Sequence, residues 1–220
     1  MSLNPSIHKV VPASPPTATA SYDYYDIADG TGIKNFYAAQ THSSGALTDY
    51  YLTTDNTDYS AVISCKMIPA GAGYTTDDNY EVLFNFPKMI RGKIRVSIVQ
   101  GLAASAANQY IFILLKLYKV SGATVTQIGD EVCTNKLIST ASVKLDRREN
   151  VYFDTGGRVH FKKGDRLRLN VKVYASHSVA MGYGIDPVGR DDIATASGGI
   201  IIDAGHTTQL KVGVPFVIDQ

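Results

Sequence analysis

Serine and histidine side chains that could act as a nucleophile and its base occur together in YASHSVAMGYG, where Ser176 and Ser178 flank His177. A serine activated by a neighbouring histidine is the usual arrangement for acyl transfer. The chain has no GxSxG turn to expose such a serine, and His177 falls in a predicted loop directly after a predicted strand. We therefore expect His177 to be a surface histidine, and we predict that the protein is not an enzyme.

Possible metal ligands are scattered along the chain. The other histidines stand singly, without the close pairing typical of a zinc site; they are His8, His42, His160 and His206. Acidic residues cluster at Asp77 and Asp78, and again in GIDPVGRDDIA at Asp186, Asp191 and Asp192. Neither cluster has EF-hand spacing, and Arg190 would oppose a cation in the second. We expect solvated turns, no bound metal and no cofactor, although an ion in the Asp186 to Asp192 loop stays an alternative.

The two cysteines lie in apolar surroundings, AVISCKMI around Cys65 and DEVCTNKL around Cys133. Neither belongs to a CxxC motif or lies near a histidine pair. This context predicts two reduced, buried thiols rather than a disulfide or a metal site.

Composition limits the classes of partner. The 220 residues include 21 basic and 20 acidic side chains, so the formal net charge is +1 and no global field favours nucleic acid or anionic lipid. The first residues lack the apolar core of a signal peptide, and no stretch has the roughly 18 consecutive apolar residues of a membrane helix. We expect a soluble protein made in the cytosol, with neither nucleic acid nor membrane as a partner.

The chain divides into an arm and a domain. Residues 1–21 are rich in proline, alanine, serine and threonine, which predicts an extended N-terminal arm. Residues 22–220 have the short β-prone runs and turn signals of antiparallel β proteins, without βαβ spacing. The arm residues expected to mediate assembly combine a short apolar cluster with prolines; they are Ile7, Val10, Val11, Pro12, Pro15 and Pro16.

Strand patterns predict the fold class. YIFILLKLYKV, from Tyr110 to Val120, is apolar on both faces over its first half and is expected to be central and covered on both sides. Three short strands are predicted within residues 142–161, and the closing run QLKVGVPFVID is predicted to be a strand in which Pro215 marks an edge or a bulge. The prediction is an all-β, antiparallel two-sheet sandwich of jelly-roll type.

One predicted strand has a basic face, and the question is what that face contacts. FKKGDRLRLNVKVYA has a KKGD turn and then alternates Leu167, Leu169, Val171 and Val173 with Arg166, Arg168, Asn170 and Lys172. A period of two places these sets on opposite faces of a sheet. Because acidic residues are interleaved nearby, an ordinary solvated face is favoured over a nucleic-acid surface, and a subunit interface is a third alternative.

The same stretch resembles a known family. Its pattern F-x-K-G-D-x-L-x-L-x-V resembles the turn and strand of trimeric jelly rolls of the C1q and tumour-necrosis-factor type. Over a wider range, DIADGTGIKNFYAAQ, GKIRVSIVQ, GIDPVGRDD and the closing QLKVGVPFVID resemble structural proteins of tailed viruses of bacteria and archaea. The resemblance implies a capsid, decoration or tail protein and carries over no functional residue.

The sequence therefore predicts a virion structural protein, a jelly-roll subunit that binds copies of itself and other virion proteins. The alternative is a carbohydrate- or receptor-binding module on the same fold. Its expected contact surface combines the basic strand with loop tyrosines; the residues are Arg166, Arg168, Lys172, Tyr74, Tyr80 and Tyr183.

Overall fold

The computed structural model describes residues 31–42, 48–54, 65–68, 73–74, 77–176, 180–185, 193–194, 200–202 and 209–217. The predicted arm, the Asp186 to Asp192 loop and His177 lie outside these residues. No helix of the described part is long and apolar enough to cross a membrane.

The described residues form fifteen β-strands and no helix, which confirms the all-β prediction. The strands are β1 (Thr31–His42), β2 (Thr48–Thr53), β3 (Cys65–Ile68), β4 (Gly73–Tyr74), β5 (Asp78–Leu83), β6 (Lys88–Ala103), β7 (Tyr110–Ser121), β8 (Thr124–Cys133), β9 (Leu137–Ile138), β10 (Lys144–Phe161), β11 (Arg166–Ala175), β12 (Ala180–Gly184), β13 (Ile193–Ala194), β14 (Ile200–Ile202) and β15 (Lys211–Val217).

Thirteen of these strands belong to one curled sheet, in the order β3-β12-β6-β15-β1-β2-β5-β11-β7-β8, with β10 beside β6, β4 beside β11 and β9 beside β7. The pairs are antiparallel except for the parallel contact of β2 with β5. Strands β13 and β14 pair separately. A single continuous sheet differs from the predicted two-sheet sandwich, and the jelly-roll arrangement is not confirmed.

Strand β6 organises the sheet because both of its edges are occupied. Strand β10 pairs with it from Lys88 to Ala103, while β15 and then β12 share the opposite edge. Its inward side chains are fully buried and belong to one core with those of β7, β11 and β15. The buried aliphatic side chains of this inward row are Ile90, Ile94, Val96, Ile98 and Leu102, and Val99 on the other face is also fully buried.

Strand β10 is one long strand where three short ones were predicted. Its pairing with β6 is interrupted between Asp154 and Arg158, where three residues face the single Gly92. The hydroxyl of Thr155 accepts a hydrogen bond from the Gly92 N–H at 3.1 Å and donates to the Gly157 carbonyl at 2.7 Å. The turn-like composition of this segment therefore forms a β-bulge within a continuous strand.

Two local predictions are confirmed and one is corrected. Gly164 in the KKGD turn has a φ of 91°, and the β15–β6 register shifts between Gly213 and Phe216, which places Pro215 at a bulge. Strand β7 is central, with β11 and β8 as neighbours. Its inward face is fully buried, whereas on the other face Leu114 is buried but Phe112 and Lys116 are partly exposed.

The curled sheet closes where β8 meets β10. Within residues 77–176 these two strands form no ladder, since β8 pairs only with β7 and β10 only with β6. Gly129, at a φ of 67°, lies against the Asp154 carbonyl so closely that a Cβ there would overlap the oxygen. We call this closure the seam; it depends on a glycine in the left-handed region.

The seam predicts a strong effect of Gly129→Ala. This variant should lose on the order of 3 kcal/mol of unfolding free energy, because the methyl group meets both backbone strain and the Asp154 carbonyl. Gly122→Ala is the matched control. Gly122 also has a positive φ, of 56°, but its Cβ would meet nothing within 4 Å, so a loss of about 1 kcal/mol is expected. Equal losses in urea unfolding would contradict the close contact at the seam.

The KKGD turn predicts a pH-dependent contribution from Asp165, which is buried. The pKa of Asp165 is lowered from 3.8 to about 2, first by a hydrogen bond from the Ser121 hydroxyl and also by the Lys162 N–H and the Lys119 ammonium. A depressed carboxyl pKa stabilises the fold above the unfolded-state pKa, and this stabilisation is lost as the pH falls through the folded-state value.

Asp165→Asn should therefore be less stable than the parent at pH 7, and the gap should narrow between about pH 4 and pH 2. The measurement is urea unfolding of both proteins across this range. Asp130→Asn, which removes an exposed carboxylate from β8, should match the parent throughout. A gap for Asp165→Asn that does not change with pH would show that the charge is not what stabilises the turn.

Candidate binding surfaces

The basic side chains of β11 lie on the outer face of the sheet, as the alternation predicted, but they are paired within the subunit. Glu81 on the neighbouring β5 lies directly opposite Arg168. One of its oxygens accepts from Arg166 Nη1 at 2.8 Å and the other from Arg168 Nε at 2.6 Å. Burial raises the pKa of Glu81, but hydrogen bonds from these two arginines outweigh it and the net shift is downward.

The remaining cations of this face are neutralised in the same way. Lys172 Nζ lies 3.1 Å from Asp77 Oδ2, and Lys116 Nζ lies 2.8 Å from Glu131 Oε2. A hydrogen bond from the Asn170 amide is the main cause of the lowered pKa of Asp77. We call this set of paired side chains the ion-pair face. Its alternating charges fit the solvated-face interpretation better than a nucleic-acid surface.

The predicted tyrosine contacts are corrected by the structure. Tyr80 and Tyr183 are strand residues with 0% exposure, not loop residues. Their hydroxyls lie 3.0 Å apart, and that of Tyr183 donates to Asp78 Oδ2 at 2.7 Å. Burial is the main cause that raises the pKa of Tyr183 well above its ordinary value. The hydroxyls of these two tyrosines hydrogen-bond to each other inside the core, so neither side chain is available as a contact surface.

The structure also bears on the predictions for Tyr74 and for the two cysteines. The backbone of Tyr74 pairs with Tyr174 at the edge of β11, but its side chain is not among those described. Cys133 is exposed at the end of β8, so the prediction of two buried thiols is wrong for this residue. The alternation of β8 explains the error, because Cys133 lies opposite Leu114 on the outer face of β7. The side chain of Cys65, like that of Tyr74, is not among those that the structure describes.

An aromatic cluster that the sequence analysis missed occupies the outer face beyond the ion pairs. Tyr174 stacks on Phe112, with centroids 4.9 Å apart, and on Tyr110 at 6.4 Å. The Lys136 ammonium lies 4.5 Å from the Tyr110 ring centroid and 5.9 Å from that of Phe112. The sequence pattern that could have indicated this cluster is the alternation of Tyr110 and Phe112 with the core residues of β7. Because Lys136 already covers two of the rings, the cluster is a poor platform for a further ligand.

A groove of about 470 Å³ opens beside the seam, between the β7–β8 hairpin and the bulge of β10. Its polar lining consists of side chains of Lys119, Ser121, Thr124, Thr126, Gln127, Thr155, Arg158 and His160. Strands far apart in sequence contribute these residues, so no local motif indicates them. Grooves of this size hold small molecules, and we call this one the seam groove.

Comparisons with known proteins identify no family. No protein-family model matches the chain, and no curated protein matches it in sequence. Two structures of a CocE/NonD family hydrolase from Staphylococcus aureus align with a TM-score of 0.45, at 10% and 9% identity, over 85% and 86% of this chain. The chain spans 37% of the hydrolase chain.

A chain from the structure of infectious bursal disease virus, Gx strain, aligns with a TM-score of 0.27 at 9% identity, over 82% of this chain and 42% of the viral chain. The comparisons with the hydrolase contradict the sequence-based prediction that the chain is not an enzyme, and that prediction is withdrawn. Resemblances of this strength assign neither an activity nor catalytic residues to the chain.

The ion-pair face predicts weak nucleic-acid affinity. Binding of duplex DNA and single-stranded RNA at 50 mM salt should be negligible for the parent, because Glu81 already neutralises two arginines, and equally negligible for the Arg166→Gln, Arg168→Gln double variant. Glu81→Gln is the informative control, since it frees both guanidinium groups and is expected to bind at least as well as the parent. Tight, salt-sensitive binding by the parent that the double variant loses would overturn the solvated-face interpretation.

Proposed function

We propose that the protein is a structural subunit of a virus particle, of capsid, decoration or tail, which assembles with copies of itself and with other virion proteins. The resemblance of several sequence stretches to structural proteins of tailed viruses supports the virion assignment. In this proposal the curled sheet is a variant of the jelly roll. The observation that carries the assembly role is an exposed apolar area at one end of the sheet.

That end is where β1 begins, β15 ends and β6 begins, since Thr31 pairs with Val217 and Val217 pairs with Met89. We call it the amino end of the sheet. Ile33 on β1 is 73% exposed, and Phe86 in the turn that leads into β6 is 71% exposed. In this proposal the two side chains belong to one contiguous apolar patch, the kind of surface that another protein typically covers.

Strand β1 begins at this same end, with Thr31. The predicted arm precedes it and contains the apolar residues Ile7, Val10 and Val11. An arm that packs on the amino end of a neighbouring subunit would remove apolar side chains of both subunits from water, which stabilises the assembly by about 25 cal/mol per Å² of apolar surface. Main-chain hydrogen bonds to a neighbour's sheet edge would add affinity.

A second function, binding of a carbohydrate or a carbohydrate-bearing receptor, is supported by one observation, the seam groove. Its lining of hydroxyl, amide and cationic groups is suited to a polar small molecule. The two functions are compatible, because the groove lies at the seam of β8 and β10 and the apolar area lies at the amino end.

The assembly role predicts that deletion of residues 2–20 weakens or abolishes oligomer formation while the melting temperature of the domain stays within a few degrees of the parent. The domain has its own core, so its unfolding should not depend on the arm. Mass in solution from light scattering and a thermal melt are the two measurements.

The double variant Ile33→Ser, Phe86→Ser is the matched test of the receiving surface, and it should lose assembly with a similarly small change in melting temperature. A truncated protein that assembles normally would contradict a role of the arm between subunits. One that unfolds many degrees earlier would show that the arm belongs to its own subunit's fold.

A further inference from the structure

The lining of the seam groove includes two basic side chains, Lys119 and Arg158, and no carboxylate. Lys119 at its inner end is paired, since its Nζ lies 3.2 Å from Asp165 Oδ2 and donates to the His160 carbonyl at 2.6 Å. Arg158 forms no ion pair with any described residue, and no carboxylate belongs to the groove lining. A free guanidinium presents a planar fork of donors that matches a carboxylate or another oxyanion.

Hydroxyl groups dominate the remainder of the lining. The hydroxyls of Thr124 and Thr126 bond to no described residue, so both are free to donate to a ligand and to accept from it. Thr155 is held by the bulge through Gly92 and Gly157, which fixes its position beside Arg158. Rigidly placed hydroxyls next to one cation are suited to a ligand that itself carries several hydroxyls and one negative charge.

Other ligand classes fit the groove less well. Its apolar lining is limited to Ile128 and Val159, which is too little for a lipid chain. Phe, Tyr and Trp are absent from the lining, so a nucleobase would find no aromatic ring of the kind on which bases stack. A lone inorganic anion would use Arg158 and leave most of the 470 Å³ to water.

We propose that the seam groove binds an acidic saccharide, with Arg158 pairing with the carboxylate of the sugar and Thr124, Thr126 and Thr155 bonding to its hydroxyls. This inference deepens the second function above and rests on it. His160 lies at the groove and supplies a further polar contact. The open edges of β8 and β10 place the groove at the surface, where a sugar at the end of a glycan can enter.

The test is a titration of the full ¹⁵N-labelled chain, followed by NMR, with methyl β-D-glucuronide and with methyl β-D-glucoside. These two ligands differ only in a carboxylate against a hydroxymethyl group. The glucuronide should shift the amide signals of residues 124–129 and 155–160 and bind about tenfold more tightly than the glucoside, as one charge-assisted pair implies. Inorganic sulfate is the third probe.

Two variants separate the roles of charge and fold. Arg158→Gln should remove the preference for the glucuronide and leave the weaker glucoside binding unchanged. Arg91→Gln removes the same charge from the residue opposite Arg158 in the β6–β10 ladder but outside the groove lining, and it should keep the preference. Amide spectra of both variants that overlay that of the parent show that each is folded.

The outcomes distinguish a failure of the acidic-saccharide inference from a failure of carbohydrate binding, the function on which it rests. Equal affinity for the two glycosides overturns the acidic preference and leaves carbohydrate binding intact, whereas no signal shifts with either sugar overturn both. If Arg158→Gln and Arg91→Gln lose the preference for the glucuronide equally, a direct role of Arg158 is overturned, because only long-range charge would then matter. Sulfate that displaces the glucuronide at equal concentration overturns the saccharide assignment in favour of a simple anion site.

Discussion

The structure depends on one constraint, which is that most of the buried apolar side chains of the long strands lie on one face of the sheet, and no helix among the described residues covers that face. The sheet must therefore curl until its own inner faces meet. Strand β6 fixes this curl, since its side chains Ile90, Ile94, Val96, Ile98 and Leu102 are buried inward while β10, β15 and β12 occupy its two edges. Each fully buried aliphatic side chain contributes roughly 1.5 to 3 kcal/mol, so the inward row of β6 is a large part of the stabilising burial.

Curling brings β8 and β10 together without joining them by hydrogen bonds, and this determines where the chain has surfaces for function. Both strands contain bulges near the contact, three residues of β8 facing Lys116 and three of β10 facing Gly92. Bulges bend and twist a strand, so the two edges touch at Gly129 and Asp154 and leave the seam groove alongside. On the outer face of β11, ion pairs to Glu81 and Asp77 balance the basic side chains. In contrast, Arg158 in the groove forms no ion pair with a described residue, and Ile33 and Phe86 at the amino end are exposed.

Local periodicity predicted the features that depend on one strand alone. The alternation of the Arg166 strand, the KKGD turn, the bulge at Pro215 and the all-β class follow from spacing within about ten residues. Features that depend on which strands become neighbours were missed. Tyr80 and Tyr183 are 103 residues apart in the chain, so their mutual hydrogen bond, and thus their burial, has no local signature. The same holds for the seam groove, while the exposure of Cys133 follows from a register with β7 that the apolar neighbours of the residue do not reveal.

The closure of the sheet by contact alone is most directly tested by residue-resolved hydrogen exchange of the native protein. The structure predicts that amides of β8 bonded to β7, and those of β10 bonded to β6, are protected, while the intervening amides that point into the seam exchange rapidly. Protection should therefore alternate along residues 124–128 and 151–154. Continuous protection of consecutive amides along both edges would mean that β8 and β10 form a hydrogen-bonded ladder, which would contradict both the closure by contact alone and the seam groove.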